Sequence, residues 1–298
     1  MLKEIKDMEY WDNKLSIAID GNFYQSSSNA FICKFGDQKT ICVEYCGINS
    51  TIFGMLVFCN KWISIPFGPI IIGEKNEIDL LRFIEIIKKK FNLPVKFSIL
   101  TNDLLNYKWI QENIESEWDY TTALLNLDES IESIMSGFNQ NRRRILRKSS
   151  TSLKDSIISD DDKYIEDFYK MYCDRLALTN GIVDVSFEQL QHMLKNKNVT
   201  LHTCIYENKP IAGIVTYRFN DTIINRYNCT NSEYLSLNPN SYLDYLLIKE
   251  GVMQPKLKFY DFSGIAEGGN LNQKQENINR YKFSYGPKVL KRYRRYQL

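Results

Sequence analysis

The order of apolar segments and turns in this sequence occurs twice, once in each half of the chain. In the first half, apolar runs at 30–35 and 40–45 lie on either side of the turn FGDQK. In the second half, runs at 199–206 and 211–219 lie on either side of the turn YENKP. Short apolar runs joined by such turns are typical of antiparallel strands. The repeat therefore predicts a duplicated unit that contains a sheet, with a boundary near Leu127.

Each half also contains segments in which apolar residues recur with helical spacing. In the first half, Asn76 can cap such a helix, and in the second half 129–149 and 163–179 each have one apolar face. A chain of 298 residues exceeds the usual single-domain size of roughly 100–200 residues. We therefore predict an α/β fold with mixed sheets in two domains, 1–127 and 128–298.

The cysteines, the histidines and the N-terminus exclude several classes of protein. Seven cysteines, mostly in apolar runs, are typical of reduced, buried thiols in the cytoplasm. Neither Cys42 with Cys46 nor His202 with Cys204 is joined by a second ligand pair, so no metal site is predicted. The N-terminal residues are charged where a signal peptide needs an apolar core, and no run approaches the roughly 20 apolar residues of a membrane span. We expect a cytoplasmic protein without a membrane span.

The segment YDFSGIAEGGNLNQKQENINRYKFSYG, residues 260–286, combines a strand end, a glycine-rich turn and a polar helix. A helix from about Asn272 is predicted to end at Lys282, before the break at Gly286. A lysine between two tyrosines either extends along aromatic surface into water or donates to a bound substrate. The residues alone leave both interpretations open.

This layout resembles the C-terminal signature of the Fem family of aminoacyl-tRNA-dependent transferases. In that family an aromatic–lysine pair and then an aromatic–glycine pair end the second of two acetyltransferase-like (GNAT) domains. Here the pairs are Tyr281–Lys282 and Tyr285–Gly286. The resemblance implies two tandem GNAT-like acyltransferase domains, the first binding the acceptor and the second binding the donor.

The resemblance also implies roles for single residues of this segment. Lys282 is expected to meet the tetrahedral oxyanion of acyl transfer, where one fixed donor lowers the barrier by roughly 3–4 kcal/mol. Tyr281 is the second catalytic candidate, although the family usually has phenylalanine at its position. Tyr285 is a candidate for substrate binding.

A basic helix, NQNRRRILRKS at 139–149, supplies further candidates. Its apolar residues fix one face, so its cations project elsewhere. They either form a solvated face that complements the helix dipole or hold phosphate groups. The segment resembles the arginine-rich helix that opens the second Fem domain, which implies phosphate contacts. The substrate-binding candidates here are Arg143, Arg144, Arg147 and Lys148.

Two short motifs in the first half also resemble Fem signatures. They are an aromatic-Gln-Ser segment that contains Gln25 and Ser26, and the Gly68–Pro69 turn. The turn needs no ligand to explain it. Both motifs are markers of the fold, and Gln25 and Ser26 are further candidates for substrate binding.

Two carboxylates lie where predicted strands end. A base that accepts the proton of the attacking amine would assist acyl transfer. Asp103, after the strand 95–100, is a candidate for that catalytic role, and Asp261 is a candidate for substrate binding. Asp103 is equally well explained as a helix cap and Asp261 as a turn-stabilising side chain. The substrate could also supply its own base.

The sequence therefore predicts an acyl- or aminoacyltransferase that forms an amide on a peptidoglycan precursor or a surface glycan. No bound cofactor is expected, and the donor cosubstrate is expected to be aminoacyl-tRNA. The alternative is an enzyme that transfers an acyl group from acyl-CoA or an acyl carrier to an amino sugar of a surface polysaccharide. The acceptor is expected to be a nucleotide- or lipid-linked sugar or peptide, and the protein a monomer or weak dimer. The chain lacks the tRNA-associated helical arm of many Fem members, which leaves the donor open. A non-catalytic binder of phosphorylated glycan or nucleic acid is the rival from another class.

Overall fold

A computed structural model describes residues 2–298 and divides the chain into two compact units. The first unit extends to Tyr120 and includes Lys291–Leu298, and the second is Thr121–Leu290. The elements up to the start of the second unit are β1 (Leu2–Ile5), α1 (Met8–Ile17), α2 (Ser27–Cys33), β2 (Thr40–Cys46), β3 (Ser50–Phe58), β4 (Ile63–Ser64), β5 (Ile70–Gly73), α3 (Glu77–Phe91), β6 (Val95–Leu100), α4 (Lys108–Asn113) and β7 (Ser116–Asn126). The later elements are α5 (Ile131–Gly137), α6 (Gln140–Ser152), β8 (Ile157–Ser159), α7 (Ile165–Leu178), α8 (Phe187–Leu194), β9 (Val199–Tyr206), β10 (Lys209–Phe219), β11 (Thr222–Thr230), α9 (Pro239–Val252), β12 (Phe259–Ile265), α10 (Gln273–Phe283) and β13 (Val289–Gln297).

The sheet of the first unit has both antiparallel and parallel pairs. Strands β1, β2 and β3 form an antiparallel meander, and β5 also pairs with β3. Strand β4 is parallel to β6, and β13 returns antiparallel to β6, with Tyr293 opposite Leu100. Helix α3 packs its buried residues Phe83 and Ile87 into the core beside Phe97. Its predicted cap is confirmed, because the Asn76 side chain accepts from two backbone N–H groups of the first turn.

The sheet of the second unit has the strand order β7-β12-β11-β10-β9-β8. Strands β9, β10 and β11 form the antiparallel meander that the turns predict. Strand β12 is parallel to β11, and α9 makes the crossover between them, as a parallel pair requires. In the part of the chain that the structure describes, no helix is long and apolar enough to cross a membrane.

The structure differs from the predicted domain boundary at two places. Residues 121–126 of β7 pair with β12 and so belong to the second unit. The last residues, Lys291–Leu298, pair with β6 and so belong to the first unit. A boundary drawn once along the sequence cannot describe this division, because the chain returns to the first unit at its end.

Two predictions of local structure are wrong. The run 30–35 was predicted as a strand but lies largely in helix α2, which the Ser26 side chain caps. A short apolar run does not distinguish strand from helix, and the serine-rich stretch before it is a helix start signal. The single helix predicted at 129–149 is two helices, because Phe138 has extended backbone and Asn139 caps a new helix, α6.

Candidate functional site

Strand β12 changes its pairing in the middle of its length. Its parallel pairing with β11 ends at Ile224 and Asp261, and its register with β7 shifts between Asp261 and Gly264. Ser263 lies in this bulge with a φ of +60°, an unusual conformation for a residue other than glycine. It is held there because its hydroxyl donates to the Asn225 carbonyl at 2.5 Å and its N–H donates to the Asp261 carboxylate at 2.7 Å. The bulge therefore lies where the pairing of β12 with β11 ends.

Lys282, in the last turn of α10, reaches this bulge. Its ammonium donates to the Gly264 carbonyl at 2.5 Å, and its side chain is partly buried. Burial lowers the pKa of Lys282 to about 8, although the negative charges of Asp261 and Asp244 act in the opposite direction. The structure thus brings two predicted residues, Lys282 and Asp261, together. It gives the lysine a neutral hydrogen-bond partner rather than a carboxylate in direct contact.

A buried carboxylate lies beneath α10. Asp244, on α9, is 1% exposed and accepts from the hydroxyls of Tyr260 and Tyr281, each at 2.5 Å, and from the Asn225 amide at 2.8 Å. The Tyr285 hydroxyl lies 3.4 Å from Oδ2 of Asp244, the same oxygen that accepts from Tyr281. Burial raises the pKa of Asp244 despite these donors. The donors satisfy the carboxylate and tie α9, α10 and β12 to one point.

Arg142 completes this network from α6. Its guanidinium lies over the rings of Tyr281 and Tyr285, at 4.3 and 4.4 Å from their centroids. It also donates to the hydroxyls of Ser284 at 2.8 Å and Ser241 at 2.5 Å. Because Ser284 and Tyr281 lie at the end of α10 and Ser241 lies on α9, the network holds the end of α10 against α9 and so restrains the direction in which Lys282 projects.

The predicted roles of Tyr281 and Tyr285 stay predictions, and the geometry gives both side chains a structural part. Both hydroxyls point to the buried Asp244, and Tyr285 is fully buried. Tyr281 lies in the last turn of α10 and Tyr285 lies two residues beyond its end, and their rings pack together at 5.5 Å between centroids. Neither tyrosine hydroxyl can meet a substrate without breaking the network, so both residues position the helix.

The basic residues of α6 divide into two groups. The Arg143 guanidinium donates to the carbonyls of Ser136 and Phe138 at the end of α5, so it caps that helix. Arg144, Arg147 and Lys148 are exposed and form no ion pair with a described residue. These three residues form the exposed cationic face of α6, and the predicted phosphate contact stays a prediction for them.

The predicted contacts of Gln25 and Ser26 with substrate stay predictions, and the structure places both side chains fully buried in the first unit. The Gln25 amide donates to the Pro66 carbonyl at 2.5 Å and accepts from the Met55 N–H at 2.7 Å. The Ser26 hydroxyl donates to the Phe23 carbonyl at 2.6 Å. These residues hold the first unit together, as expected of markers of the fold.

Asp103 lies in the first unit, in an ion pair rather than at the start of a capped helix. It accepts from the Lys75 ammonium at 2.6 Å, and the same ammonium donates to Asp20 at 2.5 Å. The role of Asp103 as a base stays a prediction. Asp261 accepts from the Ser263 N–H and from the Thr122 hydroxyl, which is the turn-stabilising role considered from the sequence.

Sequence reasoning missed Arg142 and Asp244, although the spacing of their neighbours marks both. Arg142 stands four residues before the buried Leu146 and four after the buried Phe138, so it lies on the apolar face of the segment. Asp244 stands between buried residues of α9, next to Leu243. A charge on the apolar stripe of a helix is a signal for a buried polar network.

Two of the cysteines and one histidine singled out from the sequence are buried. Burial raises the pKa of Cys42 to about 12 and that of Cys204 to about 11, which disfavours the reactive thiolate. The buried His202 bonds to Asp160 and Thr216, and no group of three His, Cys, Asp or Glu residues could hold a metal ion in this part of the chain.

We compared the sequence and the fold of this chain with those of known proteins. Residues 139–282 match the family model described as an acetyltransferase (GNAT) domain. No curated protein matches the chain by sequence. Among solved structures, FemX has a TM-score of 0.79 at 10% identity, with 99% of this chain and 96% of that chain covered.

Two other solved structures share the architecture over the full chain. A conserved protein of unknown function from Bacteroides thetaiotaomicron has a TM-score of 0.70 at 11% identity, with 100% of both chains covered. A tandem GNAT protein from the clavulanic acid biosynthesis pathway has a TM-score of 0.59 at 7% identity, with 100% of this chain and 98% of that chain covered. The predicted α/β fold of tandem GNAT-like domains is confirmed, and so is the Fem-like architecture.

Proposed function

We propose that this protein is an amide-forming acyltransferase in which Lys282 is the catalytic cation, because residues 139–282 match the family model described as an acetyltransferase (GNAT) domain. The observation that carries the proposal is the Lys282 ammonium itself. It is fixed at the bulge of β12, donates to the Gly264 carbonyl at 2.5 Å, and has a pKa lowered to about 8. A desolvated cation gains more from a new negative charge than a solvated one does.

The reaction follows from this placement. A neutral amine attacks the carbonyl carbon of an ester or thioester, and a C–N bond forms while the carbonyl oxygen becomes an oxyanion. Lys282 donates a hydrogen bond to that oxygen. When the tetrahedral intermediate collapses, the C–O or C–S bond breaks and the leaving group takes the proton that the amine has lost. The ammonium therefore makes its strongest contact in the transition state, as catalysis requires.

Asp261 has a defined part in this proposal. Its carboxylate raises the pKa of Lys282 against the effect of burial, but the two residues share no hydrogen bond among the described contacts. The Asp261 carboxylate thus favours the protonated form of Lys282 but takes up none of the hydrogen-bond donors of the ammonium. Asp261 is accordingly a positioning residue that acts through Lys282.

We propose aminoacyl-tRNA as the donor, with a cell-wall or surface-glycan amine as the acceptor. The support is the exposed cationic face of α6 (Arg144, Arg147, Lys148), which lies in the GNAT domain and has no acidic partner among the described residues. Three such cations suit a polyanionic carrier. Acyl-CoA is the second candidate, because the matching model describes an acetyltransferase domain.

The test of the function is transfer of label to amine acceptors from two separate donor pools. Purified protein is incubated with either labelled aminoacyl-tRNA or labelled acyl-CoA, and amide products are identified by mass spectrometry. Product from the tRNA pool supports the full proposal, and product from acyl-CoA alone supports acyltransfer but refutes the donor. Salt-sensitive binding without product from either pool would overturn the proposal in favour of a binding protein.

The donor is tested separately by charge. The variant Arg144→Gln/Arg147→Gln/Lys148→Gln removes three positive charges. It is expected to weaken tRNA binding and to reduce the slope of the logarithm of the binding constant against the logarithm of salt concentration by about 2–3. Lys154→Gln is the matched control, since Lys154 is an exposed lysine just beyond α6. Equal salt slopes for the triple variant and wild type would refute a role for this face.

A further inference from the structure

The first unit contains a small polar cavity that the proposed acyl transfer does not use. Its volume is about 30 Å³, and its charged lining residues are Asp20, Lys75 and Asp103. A cavity needs roughly 10–15 Å³ to hold one water molecule. The space therefore suits a group of two or three non-hydrogen atoms and is too small for a sugar ring.

The charges of this cavity leave one negative charge without a partner. Lys75 donates to one oxygen of Asp20, at 2.5 Å, and to one oxygen of Asp103, at 2.6 Å. The second oxygen of each carboxylate accepts no hydrogen bond from a described residue. Two carboxylates and one ammonium sum to −1. An occupant must therefore bring donors, and a positive charge is favoured over a neutral or negative one.

Tyr107 points to an occupant independently of the carboxylates. It lines the cavity and is 2% exposed, but its hydroxyl has no hydrogen-bond partner among residues 2–298. Burial raises the pKa of Tyr107, and the charges of Asp103 and Asp20 add to the effect. The side chain is buried but its hydroxyl lines the cavity, so the hydroxyl is available for a hydrogen bond with an occupant.

An aromatic wall forms another side of the cavity. Phe67 has a φ of +51°, a strained conformation for a bulky residue. It is held there because the Asn22 amide donates to its carbonyl at 2.9 Å, and its ring packs against Tyr24, Tyr120 and Tyr293. Aromatic faces attract cations, and strained residues are common at ligand clamps.

We propose that this cavity, the Asp20–Lys75–Asp103 pocket, binds a primary ammonium group of a ligand. The ammonium fits the volume, donates three hydrogen bonds to the free carboxylate oxygens and the Tyr107 hydroxyl, and cancels the unpaired charge. The reacting amine of acyl transfer must be neutral, so the bound ammonium is a second, non-reacting group. The pocket would select ligands that carry a cationic anchor in addition to any acceptor amine.

Binding of ethylammonium to the full chain tests the proposal, with ethanol as a neutral probe of the same size. Chemical shifts of ring-labelled tyrosines, assigned with Tyr107→Phe, report occupancy. Ethylammonium is expected to shift the Tyr107 resonances in a saturable manner, and ethanol is expected to bind at least about tenfold more weakly. Equal responses to the two probes would overturn the proposal in favour of an ordered water only.

Variants locate the binding to the carboxylates. Asp20→Asn and Asp103→Asn should each weaken ethylammonium binding by about tenfold, whereas Glu112→Gln, an exposed carboxylate of the same unit, should leave it unchanged. If the two Asn variants bind as wild type does, the proposal is wrong.

Lys75→Met is expected to strengthen ethylammonium binding, the opposite of the Asn variants. A gain in binding cannot result from a variant that has failed to fold. Removing the lysine leaves two uncompensated carboxylates, so ethylammonium should bind about tenfold more tightly and should raise the melting temperature of this variant more than that of wild type. A variant that is destabilised but not rescued by ethylammonium would contradict the proposal.

Discussion

Lys75 and Lys282 are two partly buried lysines whose pKa values move in opposite directions. Burial disfavours the charge of both, but Lys75 donates directly to Asp20 and Asp103, and these contacts raise its pKa. Lys282 donates to a carbonyl, and burial lowers its pKa to about 8. The comparison shows that burial alone does not set the charge of a lysine; a carboxylate in direct contact decides it.

The difference separates a structural cation from a reactive one. Lys75 has its counter-charges in the folded state and gains little from another anion. Lys282 has a carboxylate nearby but not in contact, so an oxyanion forming beside it would find a cation with unused capacity. The Asp20–Lys75–Asp103 pocket of the first unit is therefore suited to a cationic ligand. The Lys282 ammonium of the second unit is suited to a negative charge that develops on the substrate during the reaction.

The largest effect is expected from Lys282→Met, which removes the proposed catalytic cation. Transfer should fall by about 10²–10³-fold in kcat, with little change in acceptor binding, because the contact forms in the transition state. Initial rates at saturating acceptor measure it. Lys274→Met is the matched control, an exposed lysine near the start of the same helix. Unchanged kcat in Lys282→Met would refute the assigned role.

The two lysines should also differ in the sign of their effect on stability at pH 7. Lys282→Met should raise the free energy of unfolding by up to about 3 kcal/mol, because its pKa is about 8 in the fold and 10.5 when unfolded. The gain should shrink as pH rises from 8 to 10.5, where the unfolded lysine also loses its proton. Lys75→Met should lower stability by about 2 kcal/mol, because it leaves two half-buried carboxylates unpaired.

Urea unfolding of both variants at pH 7 and pH 9 checks these signs. Destabilisation by both substitutions would show that the two lysines are held in the same way and would remove the contrast. Lys108→Met is a control for the loss of an exposed lysine, and its effect should be near zero.

A smaller effect is expected from Tyr281→Phe, which tests whether this tyrosine positions the helix or takes part in the reaction. The variant loses one hydrogen bond to the buried Asp244 and should be less stable by about 1.5–3 kcal/mol. Its kcat should stay within about threefold of wild type at temperatures where it is folded. A loss of kcat comparable to that of Lys282→Met would restore the catalytic role of Tyr281 that the sequence suggested.

The smallest effect is a displacement of a pH profile. Asp261→Asn removes the charge that raises the pKa of Lys282, so that pKa should move below 8. Because the ammonium must be protonated, kcat should begin to fall at a lower pH than in wild type. The pH dependence of kcat for both proteins measures the displacement, and a profile that moves to higher pH would contradict the role of Asp261.

The sequence was informative where the signal was local. The helix predicted from about Asn272 to Lys282 was predicted within one residue at each end, because caps, glycines and periodicity are read from neighbouring residues. The return of β13 to the first unit was not predicted, because strand pairing depends on residues far apart in the chain.

The same limit applies to the site. Gln25 was assigned to substrate binding and Tyr281 to catalysis because motifs give residue types but not directions; the Gln25 side chain is buried, and the Tyr281 hydroxyl donates to the buried Asp244. The partners of Lys75 could not be foreseen, since Asp20 and Asp103 lie 55 and 28 residues away in the chain. Arg142 and Asp244 were predictable in principle, because each interrupts an apolar helix face.

The most direct measurement is the pKa of the Lys282 ammonium, followed by NMR of ε-labelled lysines and assigned with Lys282→Met. A desolvated cation without a carboxylate in contact should titrate near pH 8, while Lys75 should stay protonated above the ordinary lysine value of 10.5. A Lys282 resonance that titrates at 10.5 or above would show a solvated or fully paired ammonium, and the proposed contact with an oxyanion would then have no basis.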